Sequence, residues 1–403
     1  MDFQITNKAK MTTTILMVIG VVFTGIGIIA ELGGHHLGQK FMANLLVNSF
    51  FFFAIGISAL FFLTLQYATE SGWYAAVKRP IEAITGYLPI GMGLLLITLL
   101  TLSFMKGGHV YMWMDPDVMK NTDSSHYDTL AAGKGAYLNL TFFWIRTIVY
   151  MLVYFWFWKT FKERSLEQDN HPERAVDIHF KNYRQGALFL VFFAVFSSTS
   201  AWDWIMSIDV HWFSTLFGWY IFAGAWCSMM VVLVLMILYL KKLGYLPKVN
   251  DSHIHDIGKW VFATSFLWSY MFFSQYMLIW YANIPEETTY YLMRIENYKL
   301  VYFGLFFINF AFPMLILMSR DAKRNAGILT FVGLVILVGH WLDVWVMVMG
   351  GSMGPTASFG FMELGMGLLF TGIFVKILLT NLTKVALTPK NHPFLDESLH
   401  HEI

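Results

Sequence analysis

The sequence predicts an all-α integral membrane protein with about ten transmembrane helices, and three observations carry that expectation. Hydrophobic residues make up 57% of the 403-residue chain and charged residues 13%, about half the charged share of an ordinary soluble domain. The apolar residues are gathered into runs about twenty long, the length at which a helix crosses the hydrocarbon. These runs do not alternate: 230–240 is continuously apolar, whereas a barrel strand is about ten residues long with a two-residue period.

Taken in order, the first run, 11–30, follows Lys8 and Lys10 as a secretory signal would. It is long for a signal and no A-x-A cleavage pattern follows, so it reads as a retained helix. Span two, 41–68, places Asn44 and Asn48 on one face and Gln66 near its other end. Span three is 84–104. The polar loop 106–137, with its WMDPD and HYD elements, is too long to be a simple connection and reads as a docking surface or lid. Span four, 138–161, carries Arg146 two turns in, and span five, 186–207, carries Asp203 near its end. Asp209 and His211 fall in the short connection to span six, 214–240. Spans seven (258–283) and eight (298–318) precede span nine, 326–350, which holds His340 and Asp343. Span ten, 360–381, opens near Glu363 after the glycine-rich GGSMGPTASFG. A short polar tail, 382–403, is assigned no role. The chain is expected to be one polytopic domain.

Of the 27 Lys and Arg, 19 fall on the side of the termini and six on the opposite side, with Arg146 and Lys376 inside spans. The positive-inside rule then puts both termini in the cytoplasm. Spans five (Trp202, Asp203, Trp204, Met206) and nine (Trp341, Asp343, Trp345, Met347) echo each other and run in the same direction. The echo suggests two four-helix bundles, spans two to five and six to nine, with spans one and ten at the periphery.

Several classes are excluded. The formal charge of +1, with basic residues scattered over loops, gives no nucleic-acid surface. Cys227 is the sole cysteine, so no disulfide, cysteine-ligated iron–sulfur cluster, zinc site or covalent haem attachment can form within the chain. Only His340 of the thirteen histidines lies well inside a span, which leaves no facing pair of axial haem ligands. No metal site is expected, and electron transfer would need a diffusible organic cofactor and partner subunits.

What remains is a set of ionisable groups where charge is costly. His340 and Asp343, three apart on one helix face, are either a proton relay or a hydrogen-bonded pair tying span nine to a neighbour. Arg146 and Asp203 lie at similar depth on antiparallel helices and are expected to pair, either to hold the bundle or to serve a function. Asp209, His211 and Glu363, with Glu31, His35 and His36, line the side opposite the termini as outer proton acceptors or solvated groups.

At these residues the sequence resembles a known group. WDWIMSIDVHWFSTLFG (202–218) fits D-W-x-M-S-x-[DE]-x-H-W-[FY]-S-T-x-[FY]-G, and with the ten-span hydropathy it resembles the NrfD and polysulfide reductase membrane-subunit superfamily, in particular the ActF subunits of bacterial alternative complex III. The resemblance implies a multi-pass subunit of a quinol:cytochrome c oxidoreductase in the bacterial inner membrane. It implies as partners a related NrfD-like membrane subunit, a periplasmic iron–sulfur subunit, c-type cytochrome subunits and the menaquinol or ubiquinol pool. Arg146 stands where the related quinol-binding ActC subunits are expected to carry a histidine, which favours a proton route or scaffold over direct quinol oxidation. The alternatives are a purely structural anchor of that complex and a stand-alone secondary transporter.

Overall fold

The structure, a computed structural model, describes residues 3–34, 36–105 and 110–402. His35 and the first four residues of the loop 106–137 lie outside the described residues. The helices are α1 (Asn7–Ala30), α2 (Leu37–Ala68), α3 (Lys78–Thr85), α4 (Leu88–Phe104), α5 (Pro116–Met119), α6 (Thr129–Gly133), α7 (Leu140–Asn170), α8 (Ala175–Trp204), α9 (Phe217–Lys242), α10 (Asp251–Ala282), α11 (Pro285–Asn297), α12 (Lys299–Phe306), α13 (Phe312–Leu317), α14 (Ala326–Met353), α15 (Phe361–Leu382) and α16 (Leu395–Leu399). Among the described residues there is no strand, and nine segments are long and apolar enough to cross a membrane. The expected seventh span is the continuous 32-residue α10, which is not one of the nine because Thr264, Ser265, Ser269, Ser274 and Gln275 dilute its hydropathy.

Local chemistry sets the ends. Thr6, Asn139 and Asn325 cap α1, α7 and α14 by accepting backbone N–H groups of the first turn, which would otherwise lack partners. Between α12 and α13 one turn widens to a π-helix, Phe307–Ala311. Pro313 has no N–H to offer the carbonyl of Asn309 four residues back, and such insertions are the usual response.

The most enclosed helix is α2, whose apolar window is 89% buried; that of α1 is 17% buried. Around α2 stand α4, α8, α9, α14 and α15. On one side α7 packs against α4 and α8; on the other, α10 packs against α9 and α13, and α12 against α14. The pairing of α1 with α15 is backbone-close: a Cβ on Gly20 would lie 2.5 Å from the Leu369 nitrogen, and one on Gly365 would lie 2.3 Å from the Thr24 nitrogen. Small residues at such crossings are how helices approach in lipid.

Both ends of the chain meet on one face, hereafter the terminal face; the opposite one is the distal face. The tail has a place after all. Asn391 donates to the carbonyls of Gln168 and Asp169, Ser398 Oγ accepts from Ala76 N–H and meets His253, and His401 pairs with Asp256 at 2.6 Å. It therefore bridges α7, the segment Trp73–Val77 and α10. The distal loop is likewise folded down: it buries Val118 of α5 and, ahead of that helix, Tyr111 and Trp113.

Candidate functional site

Asp203 closes α8 and is fully buried. Arg146 of α7 donates from Nε to Oδ2 and from Nη2 to Oδ1, both at 2.8 Å, and the Tyr150 hydroxyl donates to Oδ2 at 3.0 Å. Residues 146 and 150 are one turn apart and so share a face. The guanidinium lies over the Tyr137 and Phe142 rings, 3.9 and 4.2 Å from their centroids. A two-point guanidinium fork is among the strongest polar contacts a protein makes, and the expected pair is thus present with its carboxylate fully engaged. The distal loop joins it: the Tyr111 hydroxyl donates to the Trp204 carbonyl at 2.6 Å.

Asp343 and His340 form a different kind of site on α14, both buried. The carboxylate accepts from the Tyr220 hydroxyl of α9 and from Trp268 Nε1 of α10, the latter at 3.0 Å. Among the described residues no cation stands in ion-pair contact with it. Neither ring nitrogen of His340 has a hydrogen-bond partner, so of these two side chains Asp343 alone is hydrogen-bonded to neighbouring helices. The ring instead stands edge-on to Trp268, 5.4 Å between centroids. It does so because residue 224 is glycine: a Cβ there would come within 3.2 Å of His340 Nδ1 and of Trp268. On the neighbouring π turn, Asn309 is fully buried with both amide atoms unpartnered. Buried polar groups without partners are costly and call for explanation.

Toward the distal face Arg294 of α11 is 1% exposed; it donates to the carbonyls of Tyr290 and Met347 at 2.9 and 3.2 Å and faces Asp209 at 3.8 Å. Burial pushes the Asp209 carboxyl up from its ordinary value, although Arg294, His211 and Lys134 draw it down. Lys134 donates to the Val210 carbonyl at 2.6 Å. His211 is more exposed and pairs with Asp128 at 2.7 Å. Burial raises the Asp128 carboxyl, but the N–H groups of Ala131 and Leu130 and the His211 ring more than offset it, and the net shift is downward.

Glu363 is not a vestibule group. It is fully buried and accepts from Gly360 N–H at 2.8 Å and from Asn44 at 2.9 Å, with Lys40 at 3.6 Å. Lys40 in turn reaches Glu31, and Asn48 accepts from Trp341 at 2.9 Å. Lys40, Asn44 and Asn48 recur every fourth residue and form a polar stripe from the α2 N-terminus inward.

The seven residues singled out from the sequence thus fall into four groups: Arg146 with Asp203, His340 with Asp343 on one helix, Asp209 with His211 on the connection between α8 and α9, and Glu363 apart. Of these pairs only Arg146 and Asp203 are joined by a hydrogen-bonded ion pair. Tyr150, Tyr220, Trp268, Lys40 and Arg294 complete the groups and were not anticipated. The last two count as loop charges in a sequence, although Arg294 sits on the inward face of α11 beside Tyr290 and Tyr291. Among the described residues no three His, Cys, Asp or Glu are placed to hold a metal ion. A cavity lined by Trp204, Ser200 and Tyr154, but not by Asp203 itself, has a volume of about 30 Å³. That is roughly one water's share of liquid volume and far below the several hundred Å³ of an organic-ligand pocket. No protein-family model matches the chain, and no curated protein matches it.

Proposed function

We propose that the chain is an integral membrane subunit of a respiratory quinol:cytochrome c oxidoreductase of the alternative complex III kind, and that its chemical part is an outward proton path through Asp343. In this reading the protein lies in the bacterial inner membrane with both termini cytoplasmic and the distal face periplasmic. It is built as two four-helix bundles plus α1 and α15, with α10 as the seventh of ten spans. Its neighbours are a related NrfD-like subunit, the periplasmic iron–sulfur and c-type cytochrome subunits, and the menaquinol or ubiquinol pool. The packing of α7 with α4 and α8, and of α10 with α9 and α13, supports the two-bundle plan.

The observation that carries the proposal is the contrast between the two aspartates. Asp203 is committed to a guanidinium at 2.8 Å, and the nearby space lined by Ser200 and Trp204 of its own helix is about 30 Å³, too small for a quinone ring. Asp343 has only neutral donors, Tyr220 and Trp268, and an unpartnered histidine one turn away. A carboxyl and an imidazole in that setting exchange protons without breaking an ion pair. Arg294 and Asp209 continue the polar file toward the distal face. The test is turnover and proton release in the assembled complex. Asp343→Asn should lower both, whereas Asp203→Asn should act on stability. Full turnover and full proton release in assembled Asp343→Asn complex would refute the proton path. The anchor reading is favoured by one observation of its own, the distal loop fastened to the α8 end through Tyr111, and it requires that the spans tolerate such changes.

A further inference from the structure

The terminal face holds a crevice that the proton path does not use. It opens between the ends of α2, α3, α7 and α15, and its water-sized space is about 60 Å³. Its inner wall is apolar, formed by Leu60, Leu63, Phe161 and Leu166. Its polar side is Arg79, Glu82, Lys162, Asn381 and Lys384.

Two buried donors in this lining have no partner: Arg79 Nε and Trp158 Nε1. Arg79 is 2% exposed, and its other nitrogens are spent on Glu82 at 2.6 Å and on Asp169. Glu82, the only acid in the lining, is consumed in turn: it also accepts from Ser165 and stands 3.7 Å from Lys78. Lys162 lies over the Trp158 ring, 4.9 Å from its centroid, and Lys384 reaches only the neighbouring Asn381, at 3.2 Å. Both ammonium groups are otherwise exposed at the mouth.

We infer that this crevice binds the headgroup of an anionic phospholipid. Two unpaired N–H donors and two lysines converge on a space that takes about two waters' volume, enough for phosphate oxygens and not for a drug-sized ligand. The adjoining wall is hydrocarbon, and Trp158 with Lys162 is the pairing that marks a membrane–water boundary. A free anion would have no use for the exposed apolar surface beside the mouth, where the Phe155 ring packs on Trp158 at 5.4 Å between centroids, whereas a phosphodiester carrying acyl chains satisfies both surfaces. Basic pockets between helices at a membrane surface suit such headgroups.

The test uses the full chain in mild detergent, stripped of lipid and titrated with cardiolipin, phosphatidylglycerol or phosphatidylcholine by native mass spectrometry. Anionic lipid should bind the wild type well above phosphatidylcholine. Lys162→Gln/Lys384→Gln should weaken it by roughly tenfold or more, at about one kilocalorie per mole for each basic residue. Lys162→Arg/Lys384→Arg should retain binding, and Trp158→Phe, which removes one N–H and keeps the ring, should weaken it further in the lysine background. Lys159→Gln/Lys181→Gln removes the same charge from the same face outside the crevice and should have little effect. Equal loss in that control, undiminished binding in the crevice variant, or full displacement by millimolar inorganic phosphate would overturn the assignment.

Discussion

Changing Arg146 to methionine is the perturbation whose size the structure constrains best. Asp203 is fully buried, and its guanidinium partner is 10% exposed with two contacts at 2.8 Å. Removing the cation leaves the carboxylate with only neutral side-chain donors, the Tyr150 and Tyr137 hydroxyls. Breaking one side of a buried pair costs about 3–5 kcal/mol because the survivor is uncompensated. Removing both sides with Arg146→Met/Asp203→Asn avoids that cost and should recover most of the stability, so the coupling energy should reach at least about 2 kcal/mol. Thermal unfolding of the purified chain, followed by tryptophan fluorescence across the wild type, both single variants and the double variant, reads that coupling directly. If the double variant loses the sum of the two single losses, the pair is not an energetic unit. Asp203 would then return to the list of proton carriers.

Two further outcomes follow from the ends of the bundle. Truncating the chain after residue 390 should lower the melting temperature, since it removes the links to Gln168, Ala76 and Asp256, and the attachment itself should be acid-sensitive. Burial, then the neighbouring His401, lowers His253 from 6.5 to about 4; the released state therefore binds its proton first, and docking loses stability as pH falls from about 6.5 toward 4. Protease sensitivity of the tail that stays flat over that window would contradict this. In the connection between α8 and α9, the raised Asp209 carboxyl means that its ionised form costs stability at neutral pH and that the cost fades as pH falls from its folded value toward its ordinary one. Asp209→Asn should melt at or slightly above the wild type at pH 7 and converge with it in acid; a clear drop at pH 7 would show that Arg294 depends on this carboxylate.

Hydrophobic run length was enough to place the helices, because burial of apolar surface in lipid needs about twenty residues whatever the partner. In α10 the run is interrupted by Ser265, Ser269 and Gln275, which are buried against protein. The Arg146–Asp203 pair was legible because depth along antiparallel helices can be counted from the sequence. The Asp343 site was only half legible: residues three apart on α14 give His340 with Asp343, but Tyr220 and Trp268 come from other helices whose rotation the sequence does not state. Lys40 and Arg294 were misjudged as loop charges, since position near a helix end does not reveal which way a long side chain turns. Tail docking had no periodic signal at all; His392 and Ser398 are buried by contacts with residues distant in sequence, Tyr74 and His179 for the first, Ala76 and His253 for the second, rather than by a repeated face.

The most direct test of the functional account is to purify the chain in mild detergent from its native membrane, identify the proteins that accompany it and record a reduced-minus-oxidised spectrum. Stoichiometric c-type haem bands with an iron–sulfur subunit and a related membrane subunit are expected. A colourless chain that purifies alone would contradict a quinol-oxidising complex and return attention to transport.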